Sequence, residues 1–379
     1  MKTRRLFYED VYIQEFEAIV LSCEEKDGKY HVILNATAFY PEGGGQPADK
    51  GMIDNIPVAD VQYIDGELCH IMESPLEEGA QVVGKIDWNW RFDLMQQHSG
   101  EHIVSGMIHE KYGYENVGFH MGEEIITIDL SGMLTWQQVQ EIEKKVNYYI
   151  WMNQQVNIFY PDERQRKFIP YRSKKELTGE IRLVEFPGAD LCACCGLHVT
   201  HASQIGLVKI LSCKKFRDGV RMEMLSGKRA LDYLSGSTEQ NSQIAVSLSA
   251  KENETKEAVQ RLLDEVYDLK GQLAQEKQKS FEAKAASFVG KGNVLIIEDT
   301  MEAAEVRKCT DSILNTCGGI AALFAGNDTD GYKYAIGERN GDIKELVKKV
   351  NKELNGRGGG KPFFAQGSVK AARKQIKST

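Results

Sequence analysis

Four side chains that commonly bind metal ions occur as two pairs with the same spacing. His98 and His102 are four residues apart, and so are Cys194 and His198, more than ninety residues later. Side chains at positions i and i+4 of a helix project from the same face, so each pair can point at one ion. A fold that satisfies both pairs must bring two distant segments together at a single point. The alternative is that both spacings are coincidental and that the cysteines are core residues.

Cysteine usage supports the metal interpretation. The chain has eight cysteines in 379 residues, too few and too scattered for a disulfide scaffold. Crowding of three of them within four residues is typical of metal binding in a reducing compartment. One thiolate and three imidazoles suit zinc, so we predict one zinc ion per chain. The predicted ligands are His98, His102, Cys194 and His198, with Cys192 and Cys195 as competing sulfur donors.

The composition is that of an ordinary globular protein, with 42% hydrophobic residues, 27% charged residues and a formal net charge of −8. This apolar content can offset the entropy of ordering the chain, which excludes a disordered or fibrous protein. No stretch approaches the roughly 18 apolar residues of a membrane span. The basic start of the chain is not followed by the apolar segment of a signal peptide. We therefore expect a soluble, cytoplasmic protein with no membrane partner.

Hydrophobic periodicity divides the chain into four parts and predicts a multidomain α+β fold. Residues 1–90 have short strand patterns separated by Asp-Gly turns, which indicate a small β-barrel. Residues 91–234 mix helix and strand patterns and contain both ligand pairs, so we expect an α/β zinc-containing domain. Residues 235–290 contain no proline and indicate a helical coiled-coil linker or helical hairpin. Residues 291–379 return to a compact α/β pattern.

The linker has an apolar stripe with alternating three- and four-residue spacing. We call Val259, Leu262, Val266, Leu269 and Leu273 the linker stripe; Leu248 and Thr255 continue its register upstream. A helix of this length is marginal unless its stripe is covered. Ala245–Leu248 or Phe281–Phe288 could cover it in a monomeric hairpin. The second of these arms offers little apolar area, so we expect a homodimer through residues 240–290.

Two glycine runs and a basic end are further candidates for ligand contact. Gly43, Gly44 and Gly45 interrupt the first part of the chain, and Gly358, Gly359 and Gly360 lie between Arg357 and Lys361. Such runs are commonly flexible turns, but their bare backbone also lets a substrate or a phosphate approach closely.

Positive charge is concentrated at the C-terminal end of the chain. Lys344 to Thr379 contains ten basic and two acidic residues, a local charge of +8. A basic cluster of this kind predicts contact with nucleic-acid phosphates, although a solvated helix is the alternative. A second basic set for the same ligand comprises Arg164, Arg166, Lys167, Arg172, Lys174 and Lys175.

These motifs together resemble the alanyl-tRNA synthetase editing-domain family, in particular its free-standing AlaX proteins of the long type. The two ligand pairs are similar to that family's zinc-binding signature. The segment from Phe39 to Pro47, with Asp49 and Gly51, resembles its N-terminal glycine-rich motif. The segment from Arg357 to Gly367 resembles the end of the synthetase's C-terminal DHHA1 domain. The resemblance covers nearly the whole chain in domain order.

One departure from the family pattern concerns the second ligand pair. The family's usual motif is Cys-Gly-Gly-Thr-His, whereas this chain has Cys195 and Leu197 within it, and both are expected to change what lines the site. A large aminoacylation domain precedes the editing domain of the full-length synthetase, and only about 90 residues do so here. We therefore expect a chain that cannot charge tRNA.

The resemblance implies a trans-acting, zinc-dependent hydrolase that deacylates mischarged Ser-tRNA(Ala), Gly-tRNA(Ala) or both. It implies catalytic roles for His120 and Gln46 in the amino-acid pocket. It implies substrate binding by the glycine run at 43–45 and by Arg357, Gly358, Gly359, Gly360 and Lys361. The zinc ion would either activate a water or position the substrate. The alternatives are a non-catalytic tRNA-binding protein with a structural zinc, and a deacylase of another aminoacyl-tRNA such as a threonyl-type substrate.

Overall fold

The computed structural model describes residues 2–173 and 179–379, and the chain divides into two compact units. The first unit ends at Asn241 and the second begins at Ser242, so the division falls within a helix. Each unit combines β-sheets with helices, in agreement with the predicted α+β class. The finer division at residues 90, 234 and 290 stays a prediction.

Most strands of the first ninety residues close into a small barrel. The elements are β1 (Arg4–Arg5), α1 (Leu6–Glu9), β2 (Glu15–Lys26), β3 (Lys29–Leu34), β4 (Ala36–Thr37), β5 (Gly51–Ile53), β6 (Ile56–Ile64), β7 (Glu67–Met72) and β8 (Gln81–Ile86). The barrel order is β2-β3-β7-β6-β5-β8, and β1 pairs with β4 outside it. In β2, Phe16, Ala18 and Val20 are buried while the residues between them are exposed, because successive side chains point to opposite faces of a strand.

One long helix, α2 (Trp88–Tyr112), carries the first ligand pair through the core of this unit. It begins at Asp87, whose side chain accepts a hydrogen bond from the backbone N–H of Trp90. It ends at Gly113, which has the left-handed backbone typical of a helix C-terminus. Every residue from Leu94 to Ile108 is buried, so side chains on this helix are held by protein on all sides.

Two antiparallel sheets and four shorter helical elements follow α2 in the chain. They are β9 (Asn116–Met121), β10 (Ile126–Leu130), α3 (Trp136–Trp151), β11 (Asn157–Phe159), α4 (Glu163–Arg166), β12 (Leu183–Phe186), β13 (Asp190–Ala193), a 3₁₀ turn (Ala202–Ile205), β14 (Val208–Phe216), β15 (Gly219–Ser226) and α5 (Gly227–Ser247). The four-stranded sheet has the order β14-β15-β10-β9, and the three-stranded sheet has the order β11-β12-β13. Helix α2 packs against β13 and β15, which places the second ligand pair near the first.

The second unit is built around one five-stranded sheet. Its elements are a 3₁₀ turn (Glu252–Glu254), α6 (Thr255–Ala286), β16 (Gly292–Glu298), α7 (Ala303–Leu314), β17 (Gly318–Asn327), β18 (Gly331–Gly337), α8 (Lys344–Glu353), β19 (Gly356–Lys361), β20 (Phe364–Val369) and α9 (Arg373–Ser378). The strand order is β16-β17-β18-β20-β19. Across residues 2–173 and 179–379, no helix has both the length and the apolar composition needed to span a bilayer.

Two details of the backbone differ from the expectations. Leu248 does not share α6 with the linker stripe, because Ser249 has a positive φ of 49° and separates α5 from α6, whereas Thr255 is the first residue of α6. The residues Gly358–Gly360 are part of β19, the outermost strand of its sheet, so the flexible-turn interpretation is wrong for that run.

His70 is a fully buried histidine in the barrel wall that belongs to no predicted site. Its Nδ1 donates to the carbonyl oxygen of Val32 at 3.1 Å, and its Nε2 lies 2.8 Å from the hydroxyl of Thr37. A carbonyl can only accept, so Nδ1 carries a proton, and in the neutral ring Nε2 accepts from the Thr37 hydroxyl. Burial lowers the pKa of His70 to about 4, against 6.5 for an unperturbed histidine.

We expect the first unit to lose stability as the pH falls from 6.5 towards about 4. In this window the unfolded chain binds a proton at His70 that the folded chain excludes, so stabilisation present above pH 6.5 is lost, by up to about 3 kcal/mol. Denaturant unfolding at several pH values measures this loss. His70→Gln should flatten the acid side of the profile, whereas His31→Gln on β3 should not. An unchanged acid slope in His70→Gln would contradict the assignment.

Candidate metal centre

The two predicted ligand pairs converge in the first unit. His98 and His102 lie one turn apart on α2, and Cys194 and His198 lie on the segment that follows β13. One donor atom from each of the four residues lies within 4.8 Å of the other three. The ring centroids of His98 and His102 are 4.5 and 4.7 Å from that of His198. The four residues that the spacing singles out therefore lie together in one cluster.

Gln46 fixes the orientation of His98. The side-chain oxygen of Gln46 accepts a hydrogen bond from the backbone N–H of Leu197 at 2.9 Å, and the same oxygen lies 2.9 Å from His98 Nδ1. An amide oxygen only accepts, so Nδ1 carries the proton and Nε2 is left with its lone pair. That Nε2 lies 3.5 Å from Cys194 Sγ. Gln46 thus acts on the cluster through His98.

Asp190 fixes the orientation of His102 in the same way. Its Oδ2 lies 2.8 Å from His102 Nδ1, which leaves Nε2 facing the cluster. The other carboxylate oxygen accepts from Arg172 Nε at 2.7 Å. Burial alone lowers the pKa of His102, but the hydrogen bonds to Asp190 and Cys194 outweigh it and raise the pKa to about 10. A metal ion that binds at Nε2 must therefore displace a proton.

His198 provides the test of whether the residues fit a metal ion. It is buried, and its ring nitrogens have no hydrogen-bond partner outside the donor cluster in the part of the chain that the structure describes. A buried imidazole without such a partner is costly, and a metal ion between the four donors removes that cost at one nitrogen. Burial lowers the pKa of His198, which favours the neutral ring that binds metals. The donor set therefore fits a cation.

Among the three crowded cysteines, Cys194 has the environment of a ligand. Burial raises the pKa of its thiol, but the His98 and His198 rings and the hydrogen bond with His102 together lower that pKa well below its usual value. Burial raises the pKa of both Cys192 and Cys195. The thiolate is the metal-binding form, so the structure favours Cys194 over its two neighbours.

Close packing against the ligands explains several glycines of the two motifs. A Cβ atom on Gly196 would lie 2.1 Å from Cε1 of His98, so only glycine leaves room for that ring. Gly44 has a φ of +62°, and a Cβ there would lie 2.9 Å from Cys195 Sγ. Gly43 and Gln46 exchange two backbone hydrogen bonds, which close the glycine run into a tight loop. The loop packs directly against the ligand segment.

A cavity of about 630 Å³ lies beside the cluster. Its wall includes the metal donors His98, His102 and Cys194 and the loop glycines Gly44 and Gly45. Phe119 stacks on His98 with ring centroids 5.5 Å apart and also lines the cavity. Cys195 lines it as well, whereas Leu197 is buried in the core and is not part of the wall.

The structure does not bring every predicted site residue to this cavity. His120 is on the exposed face of β9, while its neighbour Phe119 faces the cavity, so the strand alternation favours Phe119 as the pocket residue. Arg357 and Lys361 lie with the glycines between them on the exposed strand β19 of the second unit.

The residues of the second basic set differ in their exposure to solvent. Arg164 and Lys167 are exposed, whereas Arg172 is turned inward to Asp190. Lys174 and Lys175 lie outside the described residues.

Several contacts of the site carry no sequence signal of their own, and Arg172 was expected only as one cation of the second basic set. Asp190 and Arg172 orient His102, and Arg182 donates to backbone carbonyls of the ligand segment. Asp190 lies four residues before Cys194, and this spacing on a strand pattern is the one hint that was available. The remaining contacts join segments far apart in the chain.

Comparison with protein-family models assigns three stretches of the chain to known modules. Residues 5–90 match the class II tRNA synthetases (A), residues 181–222 match the threonyl and alanyl tRNA synthetase second additional domain, and residues 287–377 match the DHHA1 domain. The chain is therefore built from modules of the alanyl and threonyl tRNA synthetase class.

Comparison with individual proteins identifies the family within this class. The alanyl-tRNA editing protein AlaX-L of Pyrococcus horikoshii is 30% identical over 398 residues, with 98% of this chain and 96% of that protein covered. The alanyl-tRNA editing protein Aarsd1-A of Xenopus laevis is 29% identical, with 95% and 92% covered. The alanine–tRNA ligase of Ignicoccus hospitalis is 30% identical over 95% of this chain but only 40% of the ligase. The chain belongs to the alanyl-tRNA editing protein family.

We expect Cys194→Ser to lose the bound metal and Cys195→Ser to keep it. Only the Cys194 sulfur lies among the three histidine nitrogens, while Cys195 Sγ faces the cavity and the hydroxyl of Tyr40. Elemental analysis of the two purified variants against the unchanged protein measures the difference. Metal retained in Cys194→Ser and lost in Cys195→Ser would reverse the ligand assignment.

Proposed function

We propose that this protein is a trans-acting aminoacyl-tRNA editing hydrolase that releases serine, glycine or both from mischarged tRNA(Ala). The observation that carries the proposal is the position of the donor cluster in the wall of a cavity rather than in a sealed core. Relatives that match nearly the full chain are named alanyl-tRNA editing proteins, which supports the same reaction. The bond cleaved is the ester between the amino acid and the terminal ribose.

Zinc is the metal that we propose for the cluster. Three imidazoles and one thiolate are a donor set typical of zinc, at a stoichiometry of one ion per chain. When bound there, zinc would supply a positive charge that polarises a water or the ester carbonyl. The protein's own part is to hold the donors, through Gln46 on His98 and Asp190 on His102.

The rival interpretation is a tRNA-binding protein with a structural zinc and no turnover. Four protein donors are typical of structural sites, which are usually closed. The cavity beside the donors favours turnover, because a purely structural ion needs no space for a substrate next to it. We therefore prefer the hydrolase to the tRNA-binding protein with a structural zinc.

The second unit is the proposed site of tRNA capture. Residues 344–379 carry the local charge of +8, and Arg357 and Lys361 are exposed on β19. An exposed strand without bulky side chains between two cations lets a phosphate backbone approach closely. A cytoplasmic location is proposed with the function and rests on the sequence alone.

Homodimerisation through the linker is the remaining proposal. The five side chains of the linker stripe are between 39% and 55% exposed on α6. Phe281 and Ala285, on the arm that could have covered them, are instead buried in the core with α7. An apolar stripe left open in this way favours pairing with the same stripe of a second chain.

Incubation of the purified protein with Ser-, Gly-, Ala- and Thr-charged tRNA tests the reaction. We expect release of free serine or glycine from tRNA(Ala), little release of alanine, and loss of release in His102→Ala, which removes a donor from the cluster. His109→Ala is the matched control, because His109 lies on the same helix but outside both the donor cluster and the cavity wall. Release of threonine alone would favour the threonyl-type alternative, and no release of any amino acid would favour the structural-zinc protein.

We expect Leu262→Lys combined with Leu269→Lys to give a soluble monomer, because two charges on the stripe oppose its pairing. Light scattering at tens of micromolar measures the mass. Tyr267→Lys, on the same helix outside the stripe, should leave the dimer intact. An unmutated protein that is already monomeric at this concentration would show the dimer proposal to be wrong.

A further inference from the structure

Arg182 is a buried arginine in the cavity wall, and no described carboxylate pairs with its charge. It is 8% exposed, and its Nη1 donates to the carbonyl oxygens of Cys194 and Gly196, both at 2.9 Å. Its Nε is buried and has no hydrogen-bond partner within residues 2–173 and 179–379. No carboxylate among those residues lies within ion-pair distance of it. A buried guanidinium in this state is costly unless an anion completes it.

Arg5 is a second cation of the same cavity. It lines the wall, and its guanidinium carbon lies 5.3 Å from the ring centroid of Tyr63. Its neighbour Arg4 is exposed and pairs with Glu9 through two hydrogen bonds of 2.6 and 2.7 Å. Arg5 forms no such pair with any described carboxylate. The two adjacent arginines therefore differ in surroundings, and only Arg5 contributes charge to the cavity.

Tyr8 contacts Arg182 in the cavity wall. Its ring centroid lies 5.0 Å from the guanidinium carbon of Arg182, and its hydroxyl donates to the carbonyl oxygen of Cys195 at 2.7 Å. The ring also lines the cavity, so Tyr8 connects the cationic wall to the ligand segment. Arg172, the third arginine of the wall, is different, because Asp190 already balances its charge.

We propose that Arg5 and Arg182 form a phosphate subsite for the terminal nucleotide of the substrate. This inference rests on the proposed editing function. The aminoacyl ester and the 5′ phosphate belong to the same terminal nucleoside, so a cavity that holds the ester beside the metal donors has the phosphate within one nucleoside of them. The α-amino group of the amino acid is cationic at neutral pH and cannot be the partner of two arginines. Guanidinium groups bind phosphate oxygens through charge-assisted hydrogen bonds.

The acidic groups of the wall do not cancel this charge. Glu180 is exposed at the cavity, and Glu101 is buried on α2, where its side chain accepts from Ser105 at 2.6 Å and from Asn116. Neither lies within ion-pair distance of Arg5 or Arg182. The positive side of the cavity is therefore available for an anion.

Calorimetry with two non-hydrolysable analogues tests the subsite. The analogues are 3′-serylamido-3′-deoxyadenosine with and without a 5′ phosphate. We expect the phosphate to tighten binding to the full-length zinc-loaded protein by at least about tenfold, as one charge-assisted contact provides. Arg5→Gln should abolish most of this gain without changing the zinc content, whereas Arg4→Gln should preserve it.

Further measurements distinguish a failure of the phosphate subsite from a failure of the editing function. Arg182→Lys keeps the positive charge but loses the paired N–H donors of the guanidinium, so we expect it to reduce the gain in affinity from the phosphate. The zinc content of this variant is measured as well, because Arg182 also donates to the Cys194 carbonyl oxygen. Equal binding of both analogues to the unmutated protein would overturn the phosphate subsite and leave the editing function standing. Binding of neither analogue would overturn both proposals. Inorganic phosphate that binds as tightly as the phosphorylated analogue would show a free-anion site and overturn the assignment to the substrate.

Discussion

A fully buried ion pair between Arg91 and Asp49 connects the barrel to α2, and the arrangement of the site depends on it. Asp49 follows the glycine-rich loop and also accepts from the backbone N–H of Tyr40, while Arg91 donates to two further backbone carbonyls. Removal of one partner leaves an uncompensated buried charge and costs about 3–5 kcal/mol. The pair therefore locks the loop against the helix, and this contact is what brings Gln46 to His98.

The metal donors are oriented by partners from separate parts of the chain. The loop near residue 46 orients one histidine of α2, and β13 orients the other through Asp190. Arg172 balances the charge of Asp190 and keeps that carboxylate in place. Such outer contacts fix the tautomer and the direction of the His98 and His102 rings before an ion arrives, so less reorganisation is needed on binding. The cluster is thus a property of the whole first unit rather than of four residues.

The parts of this arrangement that sequence reasoning could reach are those encoded in local spacing. The His98/His102 spacing and the α+β class follow from periodicity and agree with the structure, whereas Cys194 and His198 lie on a segment that is not helical. The partners Asp49–Arg91 and His102–Asp190 could not be predicted, because they join residues 42 and 88 positions apart and depend on packing. The role of His120 stays a prediction: successive side chains of a strand point to opposite faces, and on β9 Phe119 lines the cavity while His120 is exposed.

The two departures from the family's second zinc motif, Cys195 and Leu197, differ in what their side chains contact. Leu197 is fully buried, packs in the hydrophobic core and reaches the site only through its backbone N–H, which any residue would supply. Cys195 is different, because its side chain lines the cavity next to Gly44 and lies 3.9 Å from the hydroxyl of Tyr40. A change at position 197 therefore alters packing, whereas a change at position 195 alters the surface that a substrate contacts. Any difference in amino-acid preference that arises from this motif must act through Cys195.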